Sequence, residues 1–186
     1  MALAGVGDAN LRSGLWETLQ GRSSWLFINL ITAVLASAVI GIFDATIEQL
    51  VALAILMPIV ASMGGNAGTQ TMTVAVRAIA LRQLDAAATR QFALRELIVA
   101  IANGLLFAAL AAGLSYFWFG DQNIAILMAV AMMANLLVAG LSGTFVPVGL
   151  MRVGVDPAVA SSVFVTTITD VVGFFVFLGL AALYLI

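Results

Sequence analysis

MPIVASMGGNAGTQTMTVAV, residues 57–76, sets a proline, three glycines, an asparagine and a glutamine in the middle of an otherwise apolar helical stretch. Such a segment either lies outside a membrane or lines something that is not lipid. Composition settles the first half of the choice. The chain has 186 residues, of which 63% are hydrophobic and only 9% charged, and its mean hydropathy is +1.17. Soluble domains carry roughly 25% charged residues. A water-soluble fold of this size has no interior large enough for so much apolar surface, so the chain reads as an all-α integral membrane protein. It contains no cysteine, which excludes disulfides and thiolate chemistry, and no histidine, the commonest general base and transition-metal ligand.

A bilayer core of about 30 Å takes about 20 mostly apolar residues per helix. Five stretches meet that length, at about 25–43, 50–76, 97–119, 124–150 and 157–186. Trp25 and the run Tyr116 to Trp118 sit where interfacial anchors belong. Barrel strands would alternate in short segments of about ten residues, and these runs do not. Residues 1–24 form a lead-in, within which Leu11, Leu15 and Leu19 recur at helical spacing between Arg12, Glu17 and Arg22, a short amphipathic pattern.

Arginine orients the spans. All seven basic residues are arginines: Arg12 and Arg22 precede span one, Arg77, Arg82, Arg90 and Arg95 cluster between spans two and three, and Arg152 lies between spans four and five. With five spans these places share one side, while Asp44, Glu48 and Asp121 occupy the other. The positive-inside rule then predicts a cytoplasmic N-terminus and an outside C-terminus in a multi-pass cell-membrane protein. Lipid is the surrounding partner, and no nucleic-acid partner is expected.

One acidic residue has no loop to live in. Asp170 lies thirteen residues into span five, about 20 Å at 1.5 Å per residue. A carboxylate at that depth is costly unless it faces water, a cation or a partner, and no basic residue shares its depth. Ser162, Thr166 and Asp170 recur every four residues, with Thr167 three before Asp170, so span five carries one polar stripe. Span two carries a matching one: Asn66, Thr69, Gln70 and Thr73 fall at i, i+3, i+4 and i+7. Pro58, Gly64, Gly65 and Gly68 weaken the helix just before and within that stripe, and broken backbone at membrane depth is tolerated where it is buried in protein or lines a wet cavity. A bent span two lining a permeation path, with amide oxygens and freed carbonyls facing it, answers the opening question; close packing of small residues is the plain alternative. Asn135 and Ser142 on span four read first as packing residues, as do Asn29 and Asn103. An all-oxygen ligand set favours hard cations, and a single carboxylate per chain suits hydrated magnesium better than calcium, with a two-fold dimer supplying two carboxylates to one ion.

PIVASMGGNAGTQTMTVAVRAIA (58–80) and RVGVDPAVASSVFVTTITDVVGFFVFLGLA (152–181), with REL at 95–97 and ANLLVAG at 134–140, closely resemble the membrane domain of the MgtE family of magnesium channels and transporters. The resemblance covers nearly the whole chain from about Trp25. It implies a homodimer with a magnesium-selective pore between subunits, lined mainly by spans two and five. By the same resemblance Asp170, Asn66 and Thr166 face the magnesium ion. The two stripes put Thr69, Gln70, Thr73, Ser162 and Thr167 along the pore, with Gly65 and Gly173 beside them. The transported ion is the only metal implied.

Passive, potential-driven magnesium entry is therefore the leading expectation, and cation-coupled exchange using the same Asp170 is the alternative. An intramembrane enzyme would need a nucleophile with a base or a multi-ligand metal, and no catalytic role is expected. Typical family members carry a soluble N-terminal domain and a tandem CBS module ahead of the membrane part, which sense cytosolic magnesium. The present chain corresponds to the membrane part, with residues 10–24 at the joining helix, either as an excised pore domain or as a short member. Flux through it is expected to close less completely at millimolar cytosolic magnesium than flux through a sensor-bearing relative, which uptake into vesicles at stepped internal magnesium checks.

Overall fold

The protein is described here as a computed structural model covering residues 14–185. These residues form helices α1 (Leu15–Ile42), α2 (Asp44–Gln49), α3 (Ala52–Ala80), α4 (Ala86–Phe119), α5 (Gln122–Arg152) and α6 (Pro157–Tyr184). All except the six-residue α2 are long and apolar enough to cross a membrane, which bears out the all-α fold and the five spans.

The boundaries differ from expectation in three places. First, the lead-in is not a separate helix: α1 runs without interruption from Leu15, because nothing between Leu15 and Trp25 stops a helix. Leu11 and Arg12 lie outside the described residues. Second, α4 starts at Ala86 rather than near 97, so Arg90 and Arg95 ride on helix and the connection from α3 shrinks to 81–85. Asp85 makes that early start possible: its carboxylate accepts from the Ala88 N–H at 2.7 Å, capping the first turn. Asp121 and Asp156 cap α5 and α6 in the same way, which assigns three of the acidic residues to helix ends. Third, α3 is not broken. It stays helical from Ala52 to Ala80 through Pro58 and all three glycines. Glycine is costly in a solvated helix, but here packed neighbours hold the backbone, and the Val60 carbonyl gains a donor from α5.

α5 is the centre of the bundle, packing on α3, α4 and α6, while α3 also meets α6 directly. The apolar core fills the end of the molecule away from the arginines. It joins Leu53, Leu56 and Val60 of α3, Met128 and Met132 of α5, and Phe177 and Leu178 of α6. α1 leans on α6 and leaves most of its apolar side chains, Leu26, Phe27 and Leu30 among them, pointing outward. In lipid that exposure carries no hydrophobic penalty.

Beyond this core the helices approach through small residues. A Cβ added at Gly143 of α5 would stand 2.7 Å from the Gly68 carbonyl oxygen and 2.8 Å from Thr71 Cβ; one at Gly140 would stand 3.0 Å from Ala100 Cβ of α4. The obstacle at Gly143 is backbone, which cannot swing aside. Gly143→Ala is therefore expected to cost about 1–3 kcal/mol through overpacking, read as a lower melting temperature in detergent. Gly113→Ala, where nothing lies within 4 Å, is expected to leave stability unchanged or slightly raised.

Candidate functional site

The two polar stripes meet. Ala61, Ser62, Gly65, Asn66 and Thr69 of α3 and Thr166 and Asp170 of α6 line one cleft of about 360 Å³. The helices can come together here because α3 is glycine-rich along its α6 face. A Cβ at Gly65 would lie 3.8 Å from Thr166 Cγ2, and one at Gly68 would collide with Val165 Cγ1 at 2.6 Å. Asp170 is half-buried at the cleft wall.

Hydrogen bonding leaves oxygen lone pairs facing the cleft. Thr69 donates its hydroxyl proton to the Gly65 carbonyl at 2.8 Å, and Thr166 donates to the Ser162 carbonyl at 2.9 Å. Each hydroxyl thus spends its hydrogen on backbone one turn back. Asn66 Nδ2 donates to Ser62 Oγ at 3.3 Å, which leaves the Asn66 carbonyl oxygen free to accept. Every arginine among the described residues is exposed, none on α3 closer to the cleft than Arg77 in the last turn. Among the described residues no three acidic side chains cluster into a protein-only metal cage. The cleft is therefore an oxygen-lined, singly acidic wall, suited to a cation that keeps much of its water.

The remaining sequence-derived residues fall elsewhere. Gln70 turns to the other side of α3, where it lines a separate cavity of about 140 Å³ with Thr71, Glu96 and Asn103. Thr73 is exposed one turn beyond Thr69 and donates to its carbonyl at 2.7 Å. Ser162 is half-buried one turn before Thr166, and Thr167 donates to the Val163 carbonyl at 2.6 Å. Gly173 is buried beside Asn135. Ser62 was not anticipated, although it stands one turn before Asn66 and so begins the same stripe.

Glu96 was also missed as a packed group. It is half-buried and accepts a hydrogen bond from the Thr71 hydroxyl at 2.8 Å, joining α4 to α3. Its place beside Arg95 at the rim of a span gave it the look of a loop residue. Asn135 and Ser142 are buried packing residues, as read from the sequence: Asn135 Nδ2 donates to the Val60 carbonyl at 2.8 Å and Ser142 Oγ to the Ala139 carbonyl at 3.2 Å.

Residues 57–180, which include both walls of the cleft, match the family model of MgtE, described as a divalent cation transporter. The chain belongs to the MgtE family. Relatives within it include the magnesium transporters MgtE of Thermus thermophilus, 35% identical over 164 residues, and of Bacillus subtilis, 30% identical over 164 residues. Each alignment covers 88% of this chain and 36% of the relative. The MgtE of Enterococcus faecalis is 25% identical over 183 residues, covering 98% of this chain and 40% of its own length. The chain thus spans a little over a third of the length of the MgtE proteins it matches. Membership in a family of membrane transporters agrees with the five apolar spans.

Thr69→Val and Thr166→Val keep side-chain shape and remove an oxygen from the cleft. Each is expected to weaken divalent-cation binding at the cleft by about three- to ten-fold. Thr167→Val, outside the cleft, is expected to change it by less than about two-fold. Concentration-dependent uptake into proteoliposomes makes the comparison.

Proposed function

We propose that this chain forms the membrane part of a magnesium transporter, in which hydrated magnesium passes down its electrochemical gradient into the cytoplasm through a pore between two copies. The observation that carries the reading is the convergence of Asp170, Asn66, Thr69 and Thr166 from two helices on one cleft. The named activity of the relatives points to the same ion.

Charge argues for two copies. A divalent ion entering a low-dielectric passage needs about two negative charges near it, and one chain brings one carboxylate to the cleft. A two-fold axis beside α3 and α6 would place two Asp170 side chains across the ion, each contacting it through water. Magnesium suits this arrangement because it gives up its hydration shell reluctantly, whereas calcium takes six to eight direct oxygens. Thr166, Thr69 and Asn66 would accept hydrogen bonds from the ion's waters and Asp170 would supply charge. The arginine-rich helix ends face the cytoplasm under the positive-inside rule.

No fuel is needed. A potential of 100 mV contributes about 2.3 kcal/mol per elementary charge, and so about 4.6 kcal/mol for a divalent ion. Carriers that alternate access commonly use discontinuous helices at the binding site; α3 and α6 are continuous here, which favours a passive pore over coupled exchange.

Asp170→Ala and Asp170→Asn are expected to reduce magnesium uptake by at least about ten-fold, with folded yield and oligomeric state retained. Wild-type uptake is expected to persist without a sodium or proton gradient. Normal uptake by Asp170→Ala would overturn the role of this carboxylate, and strict dependence on a sodium gradient would favour the exchanger.

A further inference from the structure

We propose that Asn135 is a positioning residue for the cation cleft: its planar amide is a spacer between α3 and α6 that sets the gap between Asn66 and Asp170. The inference rests on the function proposed above and adds a residue that touches neither cleft nor ion.

Asn135 lies on α5 with 1% of its surface exposed. Its amide is sandwiched between two glycines. A Cβ at Gly173 of α6 would stand 2.7 Å from Asn135 Nδ2 and 3.0 Å from Cγ, and a Cβ at Gly64 of α3 would overlap the same group, 2.7 Å from Cγ. Gly64 is two residues before Asn66, and Gly173 is three residues after Asp170. The spacer therefore sits one turn or less from both walls of the cleft. Only a flat group fits between two glycine faces; a tetrahedral branch such as leucine is thicker.

Stability alone does not account for an asparagine here. Nδ2 is matched by the Val60 carbonyl at 2.8 Å, but Oδ1 is buried with no hydrogen-bond partner. An unmatched buried oxygen is destabilising, and departures of this kind concentrate at functional positions. The Nδ2 bond ties α5 to α3 one turn before Gly64, which fixes the plane of the amide and so the side of α6 that it supports. Through this contact the central helix holds two helices at a set distance at the level of the ion. Outer residues that orient ligands in this manner are worth roughly 10- to 100-fold in metal affinity when removed.

The test separates spacing from transport. The chain has no native cysteine, so the pair Gly65→Cys and Thr166→Cys reports the α3–α6 gap through its rate of oxidative cross-linking in membranes. Adding Asn135→Ala to that pair is expected to change the cross-linking rate several-fold. In the chain without the cysteine pair, Asn135→Ala is expected to raise the half-saturation concentration for magnesium roughly ten-fold and to weaken preference for magnesium over calcium, at unchanged maximal flux per folded protein. Where Asn135→Ala yields no folded protein, Asn135→Ser is carried through the same measurements. Unchanged cross-linking in folded Asn135→Ala or Asn135→Ser overturns the proposal, as does unchanged half-saturation with lower folded yield. Normal transport by Asp170→Ala would instead remove the function proposed for the cleft while leaving the cross-linking result standing.

Discussion

A carboxylate in the middle of a hydrophobic helix is the constraint from which the rest of this molecule follows. Insertion of such a group at the bilayer centre costs about 2.5–3.5 kcal/mol even on the gentlest scale. Asp170 has no basic residue beside it in the cleft to offset that cost, and every described arginine is exposed. The molecule answers with a polar wall. α3 brings Asn66, Thr69 and Ser62 to the same cleft, and the Thr69 and Thr166 hydroxyls give their hydrogens to backbone carbonyls, so that the wall presents oxygen to whatever fills it.

Building that wall requires helices to approach closely, and in lipid close approach comes from small residues rather than from hydrophobic exclusion. α5 serves as the post. On one flank Gly143 admits the α3 backbone at Gly68, on another Gly140 admits Ala100 of α4, and two turns before Gly143 the amide of Asn135 separates Gly64 of α3 from Gly173 of α6. The large apolar side chains, Phe177, Leu53, Leu56 and Met128 among them, pack the arginine-poor end. One end of the bundle is thus held by bulk and the middle by glycine contacts, and the cleft lies in the glycine-packed part.

Much of the site could be read along the chain. Asp170 stood out because its span offers no loop and no counter-charge, and the stripes of α3 and α6 stood out because four-residue spacing is visible without knowing what a helix touches. Glu96 escaped notice for the opposite reason: it adjoins Arg95 at the edge of a span, and only the packing of α4 on the bundle draws it to Thr71. The helix breakers in α3 suggested a bent span with freed carbonyls. Their use is different, since Gly64 and Gly68 remove side chains where α5 and α6 pass, and the backbone stays helical. Asp121 was legible as a loop charge, but neither it nor Asp85 and Asp156 could be read as caps until the helix starts were known.

Sequence by itself determined the membrane location, the five spans, the grouping of arginines and the two polar faces, because hydropathy and the 3.6-residue period are local properties. Tertiary structure alone decided how a polar face is divided among neighbours. Residues at i, i+3, i+4 and i+7 spread over about 100° of a helix, wide enough to meet two partners at once. α6 takes the edge bearing Asn66 and Thr69, and the α4 side takes Gln70. Which edge goes where depends on the glycine contacts that seat α3 against α5 and α6, and those contacts exist only once the helices are assembled.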